Sequence, residues 1–161
     1  MVRATIIIRK TVTVPAALIQ RFHEAKINGS PSVSVWGTGS PRREFLSVDD
    51  LADACVFVMK RYSDLQFLNV GTGEDITIAD FARLVAEVVG FGGKIEFDMS
   101  RPDGAPRKLL DVSRINALGW RARTPLRQGL QQMYTDFVAH YPAMRSEAET
   151  NLPYSSAASG S

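Results

Sequence analysis

Cysteine is nearly missing: Cys55 stands alone among 161 residues, which excludes an internal disulfide framework and suits a reducing compartment. Histidine is scarce too. His23 and His140 have no second Cys or His at ligand spacing, so no metal site is expected. No uninterrupted apolar run approaches the ~18–20 residues of a membrane-spanning helix. The start carries only the short run Ile6–Ile8 between Arg3 and Arg9, a poor signal peptide. Charge of one sign is not in excess: 19 Lys and Arg against 17 Asp and Glu leave +2, too little for nucleic-acid binding by bulk charge. The expectation is a soluble, cytoplasmic chain with no membrane or nucleic-acid partner. Gly37–Gly39 and Gly71–Gly73 both lack the third glycine of a dinucleotide fingerprint, Arg42 and Ile76 standing there instead. They read as turn glycines. A Tyr-x-x-x-Lys pair is missing as well, since Gln66, Val138, Arg145 and Ala158 follow the tyrosines at that spacing.

What is present suffices for one domain, with 45% hydrophobic residues to build a core. Val14–Lys26 reads as a helix with Pro15 in its first turn and Leu18, Phe22 and Ala25 at helical spacing. Val33–Trp36 reads as a short strand ahead of a turn over Gly37–Pro41. A second helix is expected from the Asp49–Asp50 pair, either of which can cap it. Leu51, Ala54, Cys55, Val58, Met59 and Tyr62 form its core face, with Cys55 as buried packing. Phe67–Val70 reads as a short buried strand. Thr77-Ile-Ala-Asp80 is a capping box for a helix burying Phe81, Leu84, Val85 and Val88 and ending at a left-handed Gly90. Lys94–Asp98 alternates like a half-wet strand. Asp111 can cap a short helix stopped by Gly119, and Thr124-Pro125 opens a helix burying Leu126, Leu130, Tyr134, Phe137 and Val138. Helices and strands alternate, which gives an α/β or α+β class.

The balanced charge is unevenly spread. Seven basic side chains against Asp103 and Asp111 give a local +5 between Arg101 and Arg127. Trp36-Gly-Thr-Gly-Ser-Pro-Arg-Arg-Glu-Phe45 puts an indole and paired guanidiniums around a glycine turn, and Arg101-Pro-Asp-Gly-Ala-Pro-Arg-Lys108 adds cations on a proline-stiffened loop. Guanidinium forks match phosphate oxygens, an indole can lie against a base or sugar, and Asp103 can accept from hydroxyls or amines. Two readings follow: a nucleotide or nucleotide-sugar pocket, or Arg43 and Arg107 in structural ion pairs with Trp36 in the core.

These two segments, with Leu18–Lys26, Val48–Ala54, Asn69–Asp75 and the continuation to Asp111, resemble the GDP-L-fucose synthase family of extended short-chain dehydrogenase/reductases. The resemblance runs from about Val14 to His140. It implies the C-terminal substrate domain of that fold, an α/β (α+β-like) small domain with the Rossmann half absent. Residues 1–13 are then a non-family start, 14–142 a GDP-sugar-binding domain and 143–161 a disordered tail. The family epimerises GDP-4-keto-6-deoxy-D-mannose at C3 and C5 and reduces C4 with NADPH. Carried over by position, Arg21 and Arg43 meet the diphosphate, Trp36 the substrate and Asp103 the nucleotide, with Lys108 a nearby cation. The family's glycine fingerprint, Ser and Tyr-x-x-x-Lys lie in the part without a counterpart. Its acid/base cysteine is not Cys55, Thr13 stands where its partner histidine is expected, and Ser47 replaces a histidine of the second motif. The resemblance therefore implies no catalytic residue and no cofactor site in this chain, with a GDP-sugar as ligand. The alternative expectation is a non-catalytic module that self-associates or docks on a full-length homologue through apolar surface.

Overall fold

Residues 13–150 are described by a computed structural model, with side chains given through residue 142. Helix α1 (Val14–Ile27) opens on its proline and buries Leu18, Ile19, Phe22 and Ala25 along one stripe. Strand β1 (Ser32–Trp36) pairs in parallel with β4 (Lys94–Asp98), Ser32 beside Lys94 through Trp36 beside Asp98. A parallel pair needs a long crossover. The intervening chain supplies it as β2 (Arg42–Arg43), α2 (Val48–Arg61), β3 (Ile76–Thr77) and α3 (Ile78–Val89). Beyond β4 come β5 (Arg107–Lys108), α4 (Ser113–Ala117) and α5 (Leu126–Thr150). The last helix thus extends over 143–150, part of the stretch expected as an unstructured tail, while 1–12 and 151–161 lie outside the described residues. The architecture is mixed α/β, as expected.

Helix α3 is the centre of the main core. Thr77 Oγ1 accepts from the Asp80 backbone N–H (3.0 Å) and donates to Asp80 Oδ2 (2.6 Å), so Thr77 caps the helix as expected, while the shorter carboxylate reaches its hydroxyl and not the backbone N–H of a full capping box. Gly90 ends the helix at φ 75°, and Lys26 Nζ donates to the Val89 carbonyl at 2.7 Å, placing a cation at the negative helix end. Phe81, Val85 and Val89 pack with Ile19 and Phe22 of α1, Val33 and Val35 of β1 and Leu130 of α5. A smaller cluster joins Ala54 of α2 to Val112, Ile115 and Trp120.

Several expectations are corrected. Ser47, not Asp49 or Asp50, caps α2, accepting from Asp49 N, while Asp50 is buried and accepts from the backbone N–H groups of Arg123 and Thr124. Of the expected α2 core face only Ala54 is buried, whereas Leu51, Cys55 and Met59 (85% exposed) are not. The helix is apolar on two sides, and Ala54, Phe57 and Val58 are the side facing the smaller cluster. Phe67–Val70 is irregular, with Phe67 80% exposed. No described strand completes a ladder there, and side chains bind the backbone instead: Arg114 Nη1 donates to Phe67 O, and Asn69 Nδ2 donates to Asp111 O. Val138 falls at the edge of the α5 stripe and is exposed. Asp111 does accept from Ser113 N at 2.9 Å, although Val112 holds the cap position, and Gly119 at φ 96° follows the helix as expected.

His23 sits in an aromatic cage on the inner side of α1. Its ring is edge-on to Tyr134, Phe137 and Tyr141, and Nδ1 lies 3.1 Å from the Tyr134 hydroxyl. Burial first and Lys26 second lower its pKa, against a smaller opposing pull from Glu24. The fold therefore favours neutral His23. Its contribution is complete above the unfolded-state pKa of about 6.5 and is lost as pH falls below that value. The urea midpoint of the wild type is expected to drop between about pH 6.5 and 5, above the carboxylate range, and to drop less in His23→Gln. Equal slopes in the two proteins would refute this assignment.

Candidate functional site

Trp36 closes β1 and, contrary to the core alternative, is 59% exposed. Two guanidiniums lie over its ring, those of Arg21 from α1 and Arg101 from the loop after β4, each 5.1 Å from the centroid. Arg21 Nη1 also donates to Ser34 O at 3.3 Å, which fixes its stem along the strand. Arg21 and Trp36 line an open cleft of about 430 Å³ between α1 and β1, together with Glu24, Asn28, Ser32 and Ser34. Trp36 also lines a smaller cleft of about 160 Å³ with Gly39, Arg43, Pro102, Asp103 and Gly104. Alternation along β1 sends Val33 and Val35 into the core and Ser32, Ser34 and Trp36 outward, so the sequence pattern itself sets one wall.

Four of the five expected site residues therefore meet around Trp36: Arg21, Arg43 and Asp103 beside the indole itself. Arg43 makes no ion pair among the described residues. Its Nη1 donates to the carbonyls of Arg42 and Ala105, both at 2.7 Å, and ties β2 to the 101–106 loop. Asp103 Oδ1 accepts from Thr38 N (2.9 Å) and Oδ2 from the Thr38 hydroxyl (2.6 Å). Those two bonds, the hydroxyl first, hold its carboxyl below the ordinary aspartate pKa. Lys108 lines neither cleft. It is exposed on β5, in register with Arg43 across the parallel β2–β5 pair. Arg107, by contrast, is in a structural ion pair: Asp75, almost wholly buried, accepts from Arg42 Nε at 2.7 Å and Arg107 Nε at 2.5 Å. Those bonds lower the Asp75 pKa and clamp the three-stranded sheet β3-β2-β5 under the site.

Sequence reading missed Arg101 as a site member, although it stood in the basic stretch. It also missed why the glycine turns exist. A Cβ at Gly37 would run into the Asp103 carboxylate and one at Gly71 into that of Glu44, whose Oε1 accepts from Gly73 N at 2.7 Å. Each Gly-x-Gly turn already cradles a carboxylate on its N–H groups. The turn N–H groups that would cradle a dinucleotide pyrophosphate are already donated to Asp103 and Glu44, so neither turn fits NADPH. Among the described residues no cluster of three or more His, Cys, Asp or Glu could hold a metal, and no helix is long and apolar enough to cross a membrane. The assembled groups are guanidiniums, hydroxyls, an amide, the carboxylates of Glu24 and Asp103 and an exposed indole on open clefts, a set that can meet anions and hydroxyls.

Residues 9–71 match the model of the NAD dependent epimerase/dehydratase family. The chain is 59% identical over 118 residues to GDP-L-fucose synthase 1 of Arabidopsis thaliana, covering 73% of this chain and 36% of that protein. It is 46% identical over 138 residues to the GDP-L-fucose synthase of Escherichia coli, covering 80% of this chain and 43% of that one. Among solved structures, the NADP-bound GDP-mannoheptose C4 reductase of Campylobacter jejuni superposes with a TM-score of 0.71 at 37% identity, covering 80% of this chain and 46% of that chain. The chain thus spans less than half the length of each of these relatives.

Proposed function

We propose that this chain, which belongs to the NAD dependent epimerase/dehydratase family and has GDP-L-fucose synthases among its relatives, is a GDP-sugar-binding domain that alone performs neither epimerisation nor hydride transfer. The observation that carries this reading is the gathering of Arg21, Arg43 and Asp103 around an exposed Trp36 on two adjoining clefts. The guanidiniums suit the diphosphate. Ser32, Ser34, Asn28 and Glu24 offer donors and acceptors for sugar hydroxyls. Lys108 extends the positive rim from its place beside Arg43. NADPH belongs to the complete relatives, not to the glycine turns of this chain.

Open clefts bury less of a ligand than closed ones, so affinity is expected to be weak, a Kd of about 0.1–1 mM. Calorimetric titration should give saturable heat with GDP and GDP-mannose and none with NADPH. Absence of heat at millimolar GDP overturns the reading. A second reading, docking through α2 and the segment after it, is favoured by the exposed Leu51, Val56 and Met59 of the helix and Leu65 and Phe67 beyond it. Light scattering on the same samples separates the two: a monomer that binds GDP supports the first alone, and a ligand-indifferent oligomer the second.

A further inference from the structure

We infer that Arg101 is the mobile arm of an anion clamp, able to exchange its contact with Trp36 for one with the diphosphate of a bound ligand. The clamp rests on the nucleotide-sugar reading for its ligand, but its geometry is separate. The three guanidiniums around the clefts differ in what holds them. Arg21 donates to a strand carbonyl, and Arg43 donates to two carbonyls. Arg101 has no hydrogen bond or ion pair from its side chain among the described residues; it lies over the indole and is otherwise drawn only by the longer-range charge of Asp98. A cation–π contact at an exposed ring is weak, whereas a guanidinium–phosphate pair is charge-assisted and often bidentate. Exchanging one for the other is favourable and leaves the fold untouched.

The backbone is built to allow that exchange. Asp98 Oδ1 accepts from the N–H and the hydroxyl of Ser100, and the Asp98 carbonyl accepts from Arg101 N at 3.3 Å, so the turn beneath Arg101 is fixed. Pro102 then leads the chain into the smaller cleft, with Asp103 pinned to Thr38. A rigid base therefore carries a side chain free to turn from the indole toward the anion. Its departure uncovers a face of Trp36, which becomes available to the ligand's apolar surface at the same step.

Tryptophan emission reads this directly, because the other indole, Trp120, is buried and donates to Asp53 at a site away from both clefts. Wild type, R101M and R101K are titrated with GDP, guanosine and inorganic pyrophosphate. The clamp predicts that R101M weakens GDP and pyrophosphate about tenfold or more, leaves guanosine unchanged and abolishes most of the emission change. R101K should recover part of the affinity without the fork. Equal GDP affinity in wild type and R101M overturns the clamp and leaves the GDP-sugar reading standing. Pyrophosphate binding that depends on Arg101, with GDP no tighter than pyrophosphate, keeps the clamp and overturns the nucleotide reading. No binding of either anion overturns both.

Discussion

Phe81→Ala is expected to remove about 3–5 kcal/mol of stability, a large part of the roughly 5–15 kcal/mol typical of a domain. Phe81 is wholly buried and stacks on Phe45 at a 4.0 Å centroid separation and 19° between planes. Its loss leaves a cavity between α3 and the segment that follows β2, which cannot collapse without moving both. The effect reaches the clefts through α3. Ile78 N donates to Pro41 O and Ala79 N to Gly39 O, both at 2.9 Å, so the helix start braces the turn next to Trp36. Urea unfolding at neutral pH measures the loss, and Phe81→Leu should retain much of the stability. An unchanged midpoint for Phe81→Ala would mean that the main cluster is not the cooperative core.

The same local interactions decide what sequence could reveal. Helices α1 and α3 and strand β1 are legible because one face of each is buried, and β4 because Ile95 and Phe97 make one face half-buried, and the apolar period says so. Helix α2 defeats that logic. Its apolar residues lie on more than one side, and periodicity cannot say that Ala54, Phe57 and Val58 are packed while Leu51, Cys55 and Met59 face outward. The two-residue strands β2, β3 and β5 have no pattern to read. They exist because Asp75 draws Arg42 and Arg107 together from segments far apart in sequence. Residue chemistry singled out Trp36, Arg43 and Asp103, but only the fold shows that Asp103 first serves as a staple for Thr38 and that Arg101 rests on the indole.

Gly37→Ala is expected to cost about 2–4 kcal/mol and to weaken GDP binding at least about tenfold. Gly37 has φ +84°, a conformation that strains any residue with a Cβ by about 1–2 kcal/mol, and the added methyl would collide with the Asp103 carboxylate. The Asp103–Thr38 bonds are the tie between the turn after Trp36 and the loop bearing Arg101. Forcing Asp103 away therefore separates two walls of the smaller cleft as well as straining the backbone. The two causes are separable by a cycle with Asp103→Ala. Removing the carboxylate relieves the collision but not the φ strain. The double variant should therefore be more stable than the sum of the single losses predicts, while its GDP affinity stays as low as that of Asp103→Ala. Strict additivity in stability would show that the methyl and the carboxylate never meet. Wild-type affinity in Gly37→Ala, measured where the protein remains folded, would show that this turn does not shape the binding cleft.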